Sequence, residues 1–449
     1  MQKLNFIIAL TLFFFLTKGG FSQRQVISLK ECLQRTKESN AKIRQARIDE
    51  EIMHQKTLKI AADGLPQIDA SSQIIDNIKM QTILLPGEFF NKPGASIPVT
   101  MGSKINFQNT VSATQLIYNH TFWVGLKAAK TAEQLSNFIT KYTEEEVMYQ
   151  TAILYYNILI SEEHKKNINN NIDRLNKIYE INKARFQNDL IKKVDLDRIS
   201  VTRNELLSKR MLLEAQVKSL YNNLKVLMGQ SAETEFKLNS SSFNSARLAA
   251  KYKPNATINF DNLTDFQVQK ITTKLKELNV SAERSKRYPT LAAFGNYSQT
   301  AMTQNYGDLG KSDMWFGSSA IGLKLSFPIF NGFAIKRDVR KAKLELRQAK
   351  IELEDIKQQK QIDHENAANN LTANWQAYRS ASMNRDLADD VFKQSLLIYK
   401  EDLVGLIDLL DAESKLFEAD VNLAEQQLKY HIAELDLLKS EGNIESLIQ

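Results

Sequence analysis

The sequence predicts a mixed α and β chain, built twice over from a helix, a pair of short strands and a long helical hairpin. Three observations predict it: where the prolines fall, an internal echo at offsets of 212 to 223 residues, and four runs in which apolar and polar residues alternate.

The prolines mark out the helices. All seven (Pro66, Pro86, Pro93, Pro98, Pro254, Pro289 and Pro328) fall in a few windows, and the intervals 119–238 and 331–449 contain none. Proline costs about 3 kcal/mol inside a helix, and these intervals are rich in Ala, Leu, Glu, Lys, Gln and Arg. They are far longer than ordinary globular helices, so each must turn back at least once. The expected helices run from Asn119 to a tip near Asp189 and back over about 190–228, with another over about 28–63 before the first strands.

The two intervals read as copies. TQLIYN (114–119) answers FPIFNG (327–332), RFQNDLI (185–191) answers IYKEDLV (398–404), Gly229 answers Gly442, and Pro66 answers Pro289. Four anchors in the same order indicate an internal duplication. The change in offset from 223 to about 213 reads as one insertion. The expected organisation is repeat 1 over 23–237, a linker over 238–256, repeat 2 over 257–442 and a tail over 443–449.

Between the prolines lie the strand-like runs. In IGLKLSFPI (321–329), apolar residues occupy every second position from Ile321 to Ile329. Residues 104–114 and 67–73 alternate likewise, and 289–300 does so less cleanly. Alternation over about ten residues fits an outer-membrane strand, and it equally fits a half-buried soluble sheet. Residues 80–102 are long and rich in Pro and Gly, and 301–314 are shorter and polar. Both suit exposed, extracellular loops.

The first 22 residues read as a secretory signal peptide, with Lys3, an apolar core over 6–16 and small residues before Gln23. Removing Lys3 and Lys18 leaves 57 basic against 52 acidic residues, a charge of +5, interspersed rather than clustered. That excludes a nucleic-acid footprint. The single cysteine, Cys32, excludes an internal disulfide. No later stretch holds 18 consecutive apolar residues, so no transmembrane helix is expected.

Strand arithmetic points to an assembly. Four strands cannot close a barrel, lipid does not tolerate open sheet edges, and bacterial barrels begin at about eight strands. Three chains of four strands would supply twelve. From Asn119 to Asp189 a helix would extend roughly 105 Å at about 1.5 Å per residue.

The order of the duplicated unit, the LPQI and YPTL strand starts, the QLIYN and FPIFNG junctions and the segment IYKEDLVGLIDLLDA together resemble the TolC family of outer-membrane efflux proteins. The resemblance covers essentially the whole mature chain, and the LLPGEFF loop is similar to that of Bacteroidetes-type members. It implies a homotrimer whose 12-stranded outer-membrane barrel continues into a periplasmic α-helical tunnel. It also implies docking to a periplasmic adaptor and an inner-membrane pump, as a passive exit duct for efflux or type I secretion, with no cofactor and no nucleic-acid partner. By that alignment Asp408 and Asp411 belong to an acidic ring at the periplasmic constriction, with Asp195 their repeat 1 counterpart and Tyr399 part of the closing network. Threefold symmetry would place six carboxylates at one mouth, and acidic rings favour cations. Arg198 stands where Asp411 stands in the other repeat, so Arg198, or Lys192 or Lys193, is expected to bridge to an acid of a neighbouring hairpin. The tips depart from the family: Asp189 and Asp402, after Asn188 and Glu401, replace the usual turn glycine. Asp tolerates positive φ better than most residues. Leu190, Leu403 and Val404 would form the apolar part of an adaptor contact with Asn188, Asp189 and Asp402.

Nothing points to catalysis. His54, His120, His164, His364 and His431 are scattered without metal-ligand spacing, and there is no phosphate loop or nucleophile elbow. The competing reading is a periplasmic coiled-coil adaptor or scaffold, which also carries long hairpins but ordinarily only one.

Overall fold

A computed structural model describes residues 25–240 and 258–448. The expected signal peptide and nearly all of the expected linker lie outside the described residues. In chain order the elements are β1 (Gln25–Ile27), α1 (Leu29–Ser39), α2 (Ala41–Ala62), β2 (Gln67–Asp76), β3 (Thr82–Pro86), β4 (Ser96–Thr100) and β5 (Ile105–Asn119). Then come α3 (His120–Gln187), α4 (Lys193–Leu227), β6 (Phe236–Leu238), α5 (Thr264–Ser285), β7 (Thr290–Thr303), β8 (Trp315–Ser326), α6 (Ala334–Lys400) and α7 (Leu406–Ser440).

Corresponding elements keep their lengths. Helices α2 and α5 both have 22 residues and α4 and α7 both have 35, while α3 has 68 and α6 has 67. The chain forms two compact units that each draw on both halves of the sequence: residues 50–136 with 269–353, and the remaining residues.

The first unit contains a four-stranded antiparallel sheet in the order β2-β5-β7-β8. Its register sorts side chains by face. Ile68 and Ala70 stand opposite Ala113 and Val111, which stand opposite Gly295 and Tyr297, and Gly295 faces Ile321. The other face aligns Ser71, Thr110, Ser298 and Ser318. Ser298 there hydrogen-bonds Gln108 at 3.1 Å and Thr110 at 3.0 Å. The apolar face is bare in the single chain: Ile321 is 92% exposed and Ile68 71%. Strands β2 and β8 are free edges. Of the aromatics flanking the sheet, Tyr118, Trp123, Tyr297, Phe316 and Phe330 are exposed, while Trp315 packs edge-on against Phe107 at 5.3 Å.

Two features of this unit differ from expectation. The segment 80–102 is not irregular, because it folds its own hairpin, with β3 paired to β4 from Thr82↔Thr100 to Pro86↔Ser96. The offset between repeats falls from 223 at β2 and β7 to 212 at Asn119 and Asn331, across the segment that contains this hairpin. In addition, β7 is a full 14-residue strand although its alternation was the weakest, since both neighbours in the sheet satisfy its backbone.

The second unit is helical, with a small parallel sheet of β1 and β6 that period-two patterning over three residues could not announce. Ser28 begins α1 with a capping box: its hydroxyl accepts from the Glu31 N–H and the Glu31 carboxylate accepts from the Ser28 N–H. The helix expected over 28–63 breaks at Asn40, whose backbone is extended (φ −62°, ψ 133°). Its carboxamide donates to the Leu227 carbonyl at 2.8 Å and accepts from the Lys42 N–H at 2.9 Å, so one side chain closes α4 and opens α2. Gly229 (φ +63°) and Gly442 (φ +71°) end the returning helices; a Cβ on either would meet a carbonyl oxygen, Ser39 O at 2.4 Å or Asn262 O at 2.5 Å. One core gathers Ile27, Leu33, Tyr155, Leu224 and Leu435 around the small sheet, and Cys32 is buried in it. The tail is not loose, since Ile444 is buried and Glu445 pairs with Lys37 at 2.7 Å.

Candidate functional site

The ends of the two hairpins lie in this helical unit, and their geometry begins with the turns. Asp189 has φ 57° and Asp402 has φ 58°, the left-handed conformation that a turn glycine would supply. Each turn is closed alike, by the Leu190 N–H to the Arg185 carbonyl at 2.9 Å and by the Leu403 N–H to the Ile398 carbonyl at 3.2 Å. Asn188 returns its carboxamide to the Ala184 carbonyl at 2.8 Å. Leu190 and Leu403 stay more than 70% exposed, whereas Val404 packs partly on the core.

That core joins all four helices, with Ile178 of α3, Ile199 of α4, Tyr399 of α6 and Leu409 of α7 among its members. Tyr399 is buried and its hydroxyl donates to the Asn182 carboxamide oxygen at 2.5 Å. Arg185 then ties one hairpin end to the other. Its guanidinium lies 4.6 Å from the centre of the Tyr399 ring, donates to the Tyr399 and Lys400 carbonyls at 3.2 and 3.3 Å, and pairs with Asp402 at 2.8 Å. It therefore supplies a donor to the Lys400 carbonyl, adds a second bond at the Tyr399 carbonyl, which also accepts from the Asp402 N–H, and places a cation at that helix's negative pole.

Three turns earlier in α3, Arg174 repeats the theme. It donates to Glu413 at 2.9 Å and approaches Asp420 at 3.8 Å, and Arg385 donates to the same Asp420 at 3.0 Å. Glu413 is almost wholly buried, and burial pushes its carboxyl above the ordinary range despite the opposing pull of Arg174. Asn167 donates to the Asp420 carbonyl at 3.3 Å. Residues 167, 171, 174, 178, 182 and 185 follow one another at steps of three and four, so α3 turns a mostly polar stripe towards the second hairpin. Sequence reading missed Arg174, Asn182, Arg185, Glu413 and Asp420. The signal available was that stripe of Asn and Arg at core spacing.

The acids expected at the constriction are placed differently from one another. Asp408 is exposed and its carboxylate accepts from the Gly405 N–H at 3.1 Å, which caps the first turn of α7. Asp411 is exposed one turn further on. Asp195 sits at the equivalent point of α4, half-buried, with Arg198 3.9 Å away on the same helix. Within the chain, then, Arg198 reaches its own helical neighbour, and Arg185 makes the link between hairpins. Beside Arg198, the side chains of Val194, Val201, Ile407 and Leu410 line an open apolar groove between the starts of α4 and α7.

Comparison with known proteins bears on the chain as a whole. The profile of the outer membrane efflux protein family matches residues 261–443. The outer membrane protein TolC of Escherichia coli K12 is 19% identical over 446 residues, covering 96% of this chain and 85% of its own. The fold agrees with that of VceC from Vibrio cholerae (TM-score 0.73, 12% identity, 92% of this chain and 96% of that one). It also agrees with that of the MtrE outer membrane channel of Neisseria gonorrhoeae (TM-score 0.71, 18% identity, 92% and 88%). By sequence the chain is similar to TolC along most of its length, and by fold it is similar to outer-membrane channels. That likeness favours an outer-membrane channel over the adaptor reading. Among the described residues no helix is long and apolar enough to cross a membrane.

Proposed function

We propose that three copies of this chain close one 12-stranded barrel and one helical tunnel, forming the exit duct of a tripartite efflux or type I secretion system. The observation that carries this reading is the four-stranded sheet with two free edges, an apolar face and a polar face. Pairing β2 of one copy with β8 of the next leaves no edge in lipid, puts Ile68 and Ile321 outward and turns the serines and threonines to the lumen. The duplication supplies the two hairpins of each copy, with 23–237 and 257–442 as its halves.

At the periplasmic end, Asp408, Asp411 and Asp195 line the constriction, Tyr399 holds it, and Arg198 faces the neighbouring copy. Asn188, Asp189, Leu190, Asp402, Leu403 and Val404 form the adaptor contact, extended by the groove beside Arg198. Native mass spectrometry of the detergent-extracted protein tests this reading directly. A trimer is the expected mass, and a monomer released by osmotic shock without detergent would sink it.

A further inference from the structure

The β3–β4 hairpin is the one part of the sheet-containing unit that the duplication does not explain. Its turn is built, not slack: the Gly87 N–H donates to the Ala95 carbonyl at 2.7 Å and the Lys92 N–H to the Gly87 carbonyl at 2.8 Å. A Cβ at Gly87 would lie 2.0 Å from the Lys92 oxygen, so glycine is required there. On one face Ile83 and Val99, and Leu85 and Ile97, are paired and half-buried. On the other, Leu84 is 68% exposed, and at the turn Phe89 is 78% exposed. An isolated two-stranded hairpin is marginal in water, and bare aromatic tips call for a partner.

We propose that this hairpin is a contact between copies of the chain, three of which meet through Phe89, Phe90 and Leu84 over the outer mouth of the barrel. This rests on the trimeric reading above. The hairpin hangs from β2, the edge strand that the neighbouring copy must pair. Its reach is sufficient: twelve strands about 4.8 Å apart and tilted about 40° close at a radius of about 12 Å. Five residues of strand carry each hairpin about 17 Å. Pro86 and Pro98 lack donors, which disfavours strand addition along the hairpin edges and leaves side chains to make the contact. Glu88 and Lys92 flank the aromatic tip with opposite charges, so three copies do not repel one another. The result is an apolar gasket at the extracellular end, distinct from the acidic periplasmic end.

The test is Phe89→Cys. The native Cys32 is buried and its thiol is pushed up to about 12, so it does not compete. Intact cells are treated with a short bis-maleimide, and native mass spectrometry of the extracted protein is run in parallel. The expected result is a cross-linked dimer drawing in up to about two of every three chains, as threefold symmetry allows. Lys311→Cys, on the other loop, should give none. In a planar bilayer Phe89→Ser with Phe90→Ser should raise single-channel conductance, and unchanged conductance would also count against the gasket. An intact trimer that gives no dimer overturns the proposal, whether a water-soluble maleimide labels Phe89→Cys fully or only a lipophilic one does, the latter assigning the tip to the lipid surface. A monomer in the native spectrum would instead fail the trimeric reading.

Discussion

The two hairpin ends start from one backbone and finish with different chemistry. Both turns hold an aspartate at φ near 58°, and both returning helices have 35 residues with an acid at the third position. In the second hairpin Asp402 is paired by Arg185 and Asp408 caps α7 through Gly405. In the first, Asp189 stands exposed and α4 starts at Lys192 without a side-chain cap. The difference teaches that the duplicated scaffold sets the bends, while a few substitutions make the first hairpin supply the cations of the ion pairs and the second their acids.

That comparison breaks most visibly at the buried pair. Arg174→Ala leaves Glu413 buried without its cation, and the expected loss is about 3 kcal/mol, read from urea midpoints of the helical signal. Arg198→Ala, at a half-exposed residue 3.9 Å from its partner, should stay within about 0.5 kcal/mol. Removing the cap by Asp408→Ala should cost about 1 kcal/mol, and the same change at Asp195 less. A finer contrast lies in the turns: Asp189→Gly should gain about 0.5 kcal/mol by relieving the left-handed backbone. Asp402→Gly should gain nothing, because it also forfeits the ion pair with Arg185.

The smallest effect is in pH. Burial raises the Glu413 carboxyl above its unfolded value, so the folded chain binds more protons there. Its contribution is present below the unfolded pKa and is lost as pH rises towards the folded one. Stability differences between the parent and Glu413→Gln, followed upward from the ordinary carboxylate range, should show the parent losing ground and the variant flat at this site.

Much of this was legible because it is written in backbone chemistry. Prolines excluded from 119–238 and 331–449 marked the long helices, and Asp at 189 and 402 marked the turns. The break at Asn40 was not, because Asn is tolerated inside helices and only its bonds to Leu227 and Lys42 reveal the cap. The β3–β4 hairpin hid behind prolines and glycines that also describe an irregular loop. The stripe on α3 that holds Arg174 and Arg185 has core spacing, but its partners were not legible, since Glu413 and Asp402 belong to the other hairpin and pairing between hairpins leaves no mark in a single segment.

The claim that the ends of the hairpins are held together by α3 is tested most directly by single-channel conductance in a planar bilayer. Arg185→Ala removes the Tyr399 stacking, two carbonyl bonds and the Asp402 pair at once. The account predicts a clear rise in conductance from trimers that insert normally. Conductance unchanged from the parent in such trimers would contradict it.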